Sequence, residues 1–255
     1  MTEKQTSKTT KEKSATSAAA GNNAAAPAAG KTVVKIIKFG PYEWQILDQQ
    51  SYKVLIITEQ SIAQRNWNET SDDVRWETCT LRAYLNNEFY NTFSPAEQAI
   101  ILEVTNETPN TSGPGYEVPG GNSTKDKVFL LSIEEVLRYF GDSTEKFKEY
   151  VKTYNAVSLR KMPAPKGFSL VDDFSDSHNK RRVAIRPSTI AELTANEKKK
   201  GDVPYAWWTR SRGKSKEDYC AACVHFHGKI YDKGFSVRGV VGGKACVRPA
   251  LWLKM

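Results

Sequence analysis

Between Tyr205 and Met255, apolar and polar residues alternate in short runs separated by glycines. A period of two is the mark of half-buried antiparallel strands joined by turns. A strand over Cys220–His227 would put Ala222, Val224 and Phe226 on a core face and Cys223, His225 and His227 on the opposite face. Gly228 ends that run and Ile230 opens the next. Asp232-Lys233-Gly234 has turn chemistry, and Phe235 and Val237 resume the alternation. Cys246–Leu253 makes a closing strand, in which Pro249 calls for an edge or a bulge because it has no N–H to donate.

Upstream, the pattern predicts strands over Val33–Phe39, Tyr42–Leu47 and Tyr52–Thr58, the last two joined by Asp48–Ser51. Val54–Ile57 is continuously apolar, as a central strand must be, and Trp44 is a core anchor. Asn66–Arg75 is polar and loop-like. Leu81, Tyr84, Leu85 and Phe89 recur at helical spacing behind a cap at Thr78 or Thr80. Ser94, Pro95 and Glu97 form a capping box for a second helix, with Ile100 and Ile101 facing inward. Thr105–Lys127 reads as a long loop with Tyr116 as a candidate ligand contact. Val128–Leu131 is a short buried strand, and Ser132 with Glu135 caps a helix burying Val136, Leu137 and Phe140. Further helices are expected over Thr144–Tyr154 and Ser188–Lys200, with an irregular stretch over Ser158–Arg182. The sum is an α+β fold.

Composition changes this picture at the N-terminus. Residues 1–32 carry almost no large apolar side chain and cannot offset their ordering entropy, so a disordered tail is expected there. The remainder, 33–255, reads as a single domain with an inserted segment around 142–185. The net charge of +8 is concentrated in Lys4–Lys13, Lys180–Arg182 and Lys198–Lys200. Such clusters can contact phosphates, but they are more commonly solvated tails and loops, and nucleic acid is not expected as a partner. There is no apolar leader and no run that could span a bilayer, so a cytoplasmic protein with reduced thiols is expected.

The run Trp207–Gly213, the strand Ala221–Val224 and the close Cys246–Leu253 together resemble an uncharacterised bacterial domain family. Its members end in W-W-L-R-S-P-G, then A-A-x-V, then G-V-R-P-A-L-W-L. The resemblance extends upstream through Phe39–Trp44, Trp76-Glu77, Leu81-Arg82 and Val128–Ser132. Thr209, Arg212 and Cys246 stand where that pattern has Leu, Pro and Gly, and extra residues fall between Gly141 and Arg186. In motif order alone the chain also resembles the C-type-lectin-like fold. That fold is shared by formylglycine-generating enzymes and by the variable proteins of diversity-generating retroelements.

The candidate chemistry sits in the same C-terminal stretch. Cys220 and Cys223 form C-x-x-C, followed by His225 and His227. Thiolates and imidazoles suit zinc or copper, so Cys223, His225 and His227 are weak metal candidates; on a strand Cys220 would point away from them. The cysteine spacing and flanks of formylglycine-generating enzymes are not matched, so that activity does not carry over. No catalytic triad, phosphate loop or cofactor fingerprint is present. Arg210, Arg248 and Trp207 could form a binding constellation, but the family resemblance implies that they are framework, and His178 stands in a polar stretch with no evident partner.

The leading expectation is a non-catalytic binding protein of C-type-lectin-like fold, with its face in 207–246. Cys223, His225, His227, Tyr231, Phe235 and Arg238 would contact a protein or carbohydrate ligand. Resemblance to retroelement-diversified proteins suggests a randomised surface on a constant core. The alternatives are an enzyme of formylglycine-generating or metal-dependent type, and a structural or assembly module with a basic tail.

Overall fold

Val54–Ile57 lies in strand β3 (Lys53–Thr58), where five consecutive residues are buried. That continuity follows from its place at the centre of a five-stranded sheet, covered on both faces. The sheet runs β1 (Ile36–Phe39), β2 (Tyr42–Gln49), β3, β16 (Ala250–Lys254) and β5 (Ile101–Leu102). The computed structural model describes residues 34–113, 116–142, 147–153, 161, 163, 177–214, 219–238 and 244–255. The expected tail, 1–32, lies outside the described residues, as does most of the expected insertion.

A second five-stranded sheet has the order β14 (Ile230–Ser236), β13 (Cys220–Val224), β12 (Trp207–Gly213), β15 (Cys246–Val247) and β4 (Ala63–Gln64). Its β12–β15 contact is parallel, whereas alternation and glycine turns predicted antiparallel pairing throughout. The closing strand expected over Cys246–Leu253 is divided at Arg248-Pro249. β15 belongs to the second sheet and β16 to the first. Pro249 cannot donate, but its carbonyl accepts the Thr58 N–H at 3.0 Å, while Arg248 Nε donates to the Thr58 carbonyl at 2.8 Å. The two residues thus carry the chain from one sheet to the other across the end of β3.

The helices follow their caps. α2 (Pro95–Ile100) and α3 (Ile133–Phe140) both start from capping boxes, on Ser94/Glu97 and Ser132/Glu135. α1 (Thr80–Tyr84) is capped by the Cys79 sulfur rather than by Thr78 or Thr80, and it widens at once into a π-turn, Leu85–Phe89. Ile101 is buried in β5, but Ile100 is 39 % exposed, because the chain leaves α2 for a strand between them. The expected loop 105–127 holds two short antiparallel pairs, β6 (Val104–Asn106) with β9 (Thr124–Asp126), and between them the hairpin of β7 (Thr111–Gly113) with β8 (Tyr116–Val118). Val128–Leu131 is buried but contributes only a single bridge, Phe129 to Ala250.

Residues 147–153 are helical (α4), and Ser177–Arg182 forms α5 within a stretch expected to be irregular. β10 (Ala184–Arg186) pairs with β11 (Val203–Tyr205). Between them only Ala195–Lys198 forms a helix, α6, because its capping residue is Thr194 and the preceding residues form turns.

One apolar cluster contains Trp44, Trp67, Trp76, Trp207 and Trp208, each with 0 % exposure. Every one of these indoles donates its N–H, to Phe39 O, Thr209 O, Asp126, Arg182 O and Arg65 O respectively. A buried indole N–H without an acceptor would leave its desolvation cost uncompensated, so these bonds fix the rings as well as satisfy them.

Candidate functional site

β12, β13 and β14 form the platform of the site. In register, Trp208 lies opposite Cys223, and Cys223 opposite Tyr231. The neighbouring row is Trp207, Val224 and Ile230. Residues in one row share a face, so the sheet has a Trp208/Cys223/Tyr231 face and a Trp207/Val224/Ile230 face. The second is core: Trp207 meets Phe140 at 6.3 Å, and the Arg248 guanidinium lies 5.3 Å from the Trp207 ring centre. Arg248 is fully buried, and desolvation pulls its pKa down to about 10. Arg210 is equally internal, bonded to the Leu130 and Glu107 carbonyls and to Glu135. Both arginines are internal, which fits the framework role that the family resemblance implied.

Asp232-Lys233-Gly234 does not end a strand. It sits inside β14, where the step from Ala221 to Cys223 is matched by the step from Phe235 to Tyr231. The surplus residues bulge out, with Gly234 at φ +71 and no room for a Cβ, which would fall 1.9 Å from the Ala221 carbonyl. The bulge brings Phe235 to 5.6 Å from Tyr231 and 6.3 Å from Trp208.

β13 stops at Val224 instead of running to His227. His225 N–H donates to the Lys229 carbonyl, Gly228 N–H donates to the His225 carbonyl, and Gly228 takes φ +86. This turn overrides the alternation. Phe226, expected in the core, is 42 % exposed at its tip, while His227, expected outside, is 3 % exposed. Cys223 is also removed from solvent, at 0 %.

The turn gathers rings. His225 lies 6.1 Å from Phe235, 4.3 Å from Phe226 and 4.2 Å from His227, and Phe226 lies 4.5 Å from His227. His225 Nδ1 and His227 Nε2 are 2.6 Å apart, so one must donate and the other accept. Of the expected contacts, His225, His227, Tyr231 and Phe235 therefore join one cluster. Cys223 is buried on the same sheet face, and Arg238 is exposed but takes no part in these ring contacts. Phe226 was missed; the signal was the His227-Gly228 turn that interrupts the strand period. Among the described residues, no group of three or more His, Cys, Asp or Glu side chains could hold a metal ion.

Burial sets the thiol chemistry. It pushes Cys79 and Cys246 up to about 12 and also raises Cys223. These thiols stay protonated near neutral pH, the opposite of an activated nucleophile. Tyr116 has a structural partner: its hydroxyl donates to Asp232, and Lys214 Nζ lies 4.2 Å from its ring centre. Burial and the Asp232 charge raise its pKa, and the contact fastens the β7–β8 hairpin to the bulge. His178 also has a neighbour, with Nδ1 3.8 Å from the Asp142 carboxylate. No described helix is long and apolar enough to cross a membrane.

No curated protein and no solved structure is matched by this chain. Over residues 51–255 it matches the family described as Domain of unknown function (DUF6273), a span that takes in both sheets' central strands and the whole ring cluster, and the chain belongs to that family.

Proposed function

We propose that this chain is a non-catalytic recognition protein whose face is the ring cluster at the end of β13 and β14. One observation carries this: Phe226 and Tyr231 stand 42 % and 39 % exposed on a platform whose other rings are held in place by the bulge and the turn. Exposed aromatics with fixed positions are the usual anchors of a binding surface. Phe226 projects from the tip of a turn and its ring is tilted against its neighbours, at 42° to His225 and 58° to His227. A protruding, tilted ring suits insertion into a pocket on a partner protein better than flat stacking on a sugar. The ligand proposed is therefore a protein surface. The protonated buried thiols of Cys79, Cys223 and Cys246 do not favour the formylglycine-generating alternative.

The scaffold we propose is C-type-lectin-like, a single domain over 33–255, and the diversified surface of a retroelement variable protein is the matching biological setting. Motif order and the antiparallel strands of both sheets support the scaffold. A near-repeat of the 3′ coding region beside a reverse transcriptase gene would support the setting, and its absence would remove it.

The test is a binding screen of the chain on arrays of purified proteins and of glycans, repeated with Phe226→Ala and Tyr231→Ala. Binding to a protein that falls at least about thirtyfold in either variant, with the fold intact by circular dichroism, is the expected result. Binding confined to glycans, or protein binding indifferent to both substitutions, overturns it.

A further inference from the structure

The turn that carries Phe226 is pinned through its backbone. His225 N–H donates to the Lys229 carbonyl and Gly228 N–H to the His225 carbonyl, each at 2.8 Å. On the other side Gly228 lies against α5, where a Cβ would fall 1.8 Å from the Asn179 carbonyl oxygen, and Arg182 Nη1 donates to the Gly228 carbonyl at 3.4 Å. The side chains are joined by a different kind of bond. His225 Nδ1 and His227 Nε2 face each other at 2.6 Å, and the Phe226 ring rests on both imidazoles, at 4.3 and 4.5 Å between centres.

That bond depends on the proton count. With both rings neutral, one facing nitrogen carries the hydrogen and the other accepts it. One added proton leaves an imidazolium donating to a neutral imidazole, so the bond survives. A second added proton puts N–H on both facing nitrogens, with two like charges in contact, and the bond cannot form. His227 is 3 % exposed and its backbone is pinned, whereas His225 is only half-buried. The ring that leaves is therefore His225, and Phe226 loses one of the two imidazoles it rests on.

The surrounding charges act in the same direction. β13 brings the Cys223 thiol, which burial keeps protonated. β14 brings Tyr231, Lys229 and Lys233, and its Asp232 is taken by Tyr116. α5 brings Arg182, bonded to Asp142 at 3.1 Å, with His178, Lys180 and Arg181 beyond it. α4, reached where Lys229 Nζ lies 5.3 Å from the Tyr150 ring centre, adds the exposed Lys148, Glu149 and Lys152. On β12, Arg210 and Arg212 are tied to Glu135 and Asp73. Lys229 and Arg182, both at the turn, oppose a second charge on the pair.

We infer that the His225–His227 pair is a proton-operated latch, which holds Phe226 in place while at most one of the two imidazoles is charged and lets it go when both are. A partner bound through Phe226 is then released on mild acidification. That use rests on the recognition role proposed above; the latch itself is measured without a partner, so either can fail while the other stands.

The test is an NMR titration of the full chain from about pH 8 to about pH 4.5, with carbon-labelled histidine and with 4-fluorophenylalanine in place of Phe226. The two imidazoles should titrate as a coupled pair, in two steps more than about one pH unit apart, the lower one below the ordinary value of about 6.5. The fluorine signal should move with the lower step while the Trp67 and Trp207 indole signals persist, and His178 should titrate in a single step. In His227→Gln the amide can donate or accept, so it can pair with either form of His225. His225 should then titrate once, and the fluorine signal should stay near its neutral-pH position. His225→Gln is the matching variant at the half-buried partner, with the same expectation for the fluorine. Two independent single steps, a fluorine signal that ignores the lower step, a displacement that persists in either glutamine variant, or loss of the indole signals together with the fluorine shift overturns the latch.

Discussion

At the scale of single residues, Phe226 and Phe140 differ by environment alone. Phe140 is 2 % exposed and packs against Trp207, whereas Phe226 is 42 % exposed. Emptying a buried aromatic site costs about 3–5 kcal/mol, while surface changes usually stay within about 0.5 kcal/mol. Phe140→Ala is therefore expected to lower stability by about 3–5 kcal/mol in denaturant melts, and Phe226→Ala by no more than about 0.5 kcal/mol. Equal losses would mean that Phe226 belongs to the core after all. A strand continued through His227, as its alternation suggests, would require the large loss at Phe226.

Among the elements, the bulge in β14 decides which side chains meet. Gly234 and Gly201 both have φ +71, but their surroundings differ. A Cβ at Gly234 would fall 1.9 Å from the Ala221 carbonyl, whereas nothing lies within 4 Å of one at Gly201. Gly201→Ala should therefore cost only the left-handed strain, about 1–2 kcal/mol. Gly234→Ala carries the same strain plus a backbone clash, so its melting midpoint should fall further and β14 should separate from β13. Amide exchange of Cys223 and Tyr231 would report that separation. If both variants melt alike, the bulge has room that its geometry denies.

For the whole molecule, the buried thiols couple stability to pH. The ordinary thiol pKa is about 8.5. Cys79 and Cys246 are pushed up to about 12 by burial, so the folded state holds their protons more tightly than the unfolded chain does. A group raised in this way contributes its full stability below the unfolded pKa and loses it as pH climbs through the folded value. Unfolding free energy should therefore decline from about pH 8.5 towards pH 12, and the decline should be shallower in the Cys79→Ala/Cys246→Ala double variant. An unchanged slope would exclude the thiols as its source. Near neutral pH the same burial should leave Cys79, Cys223 and Cys246 slow to react with a thiol reagent until the chain unfolds.

Local chemistry was enough to determine several features from sequence. The capping boxes at Ser94 and Ser132 are short-range bonds between residues three apart, so their positions need no tertiary context. The centrality of β3 followed from its unbroken apolar run, and the framework role of Arg210, Arg248 and Trp207 from the family resemblance. The ring cluster was legible in part, because Tyr231 and Phe235 lie near His225 in the chain. Its faces were not. A strand's two faces exchange with a one-residue change of register, and a turn at His225–Gly228 and a bulge at Asp232–Gly234 each break the count. The crossing at Pro249 was equally hidden, since a run such as Cys246–Leu253 reads the same whether one sheet or two receive it. Trp67 lies in the expected loop but is fully buried there, because its partner, the Thr209 carbonyl, is supplied by a distant strand. Sequence order carries no information about which distant carbonyl a buried indole will meet; only the packing of those segments against one another decides it.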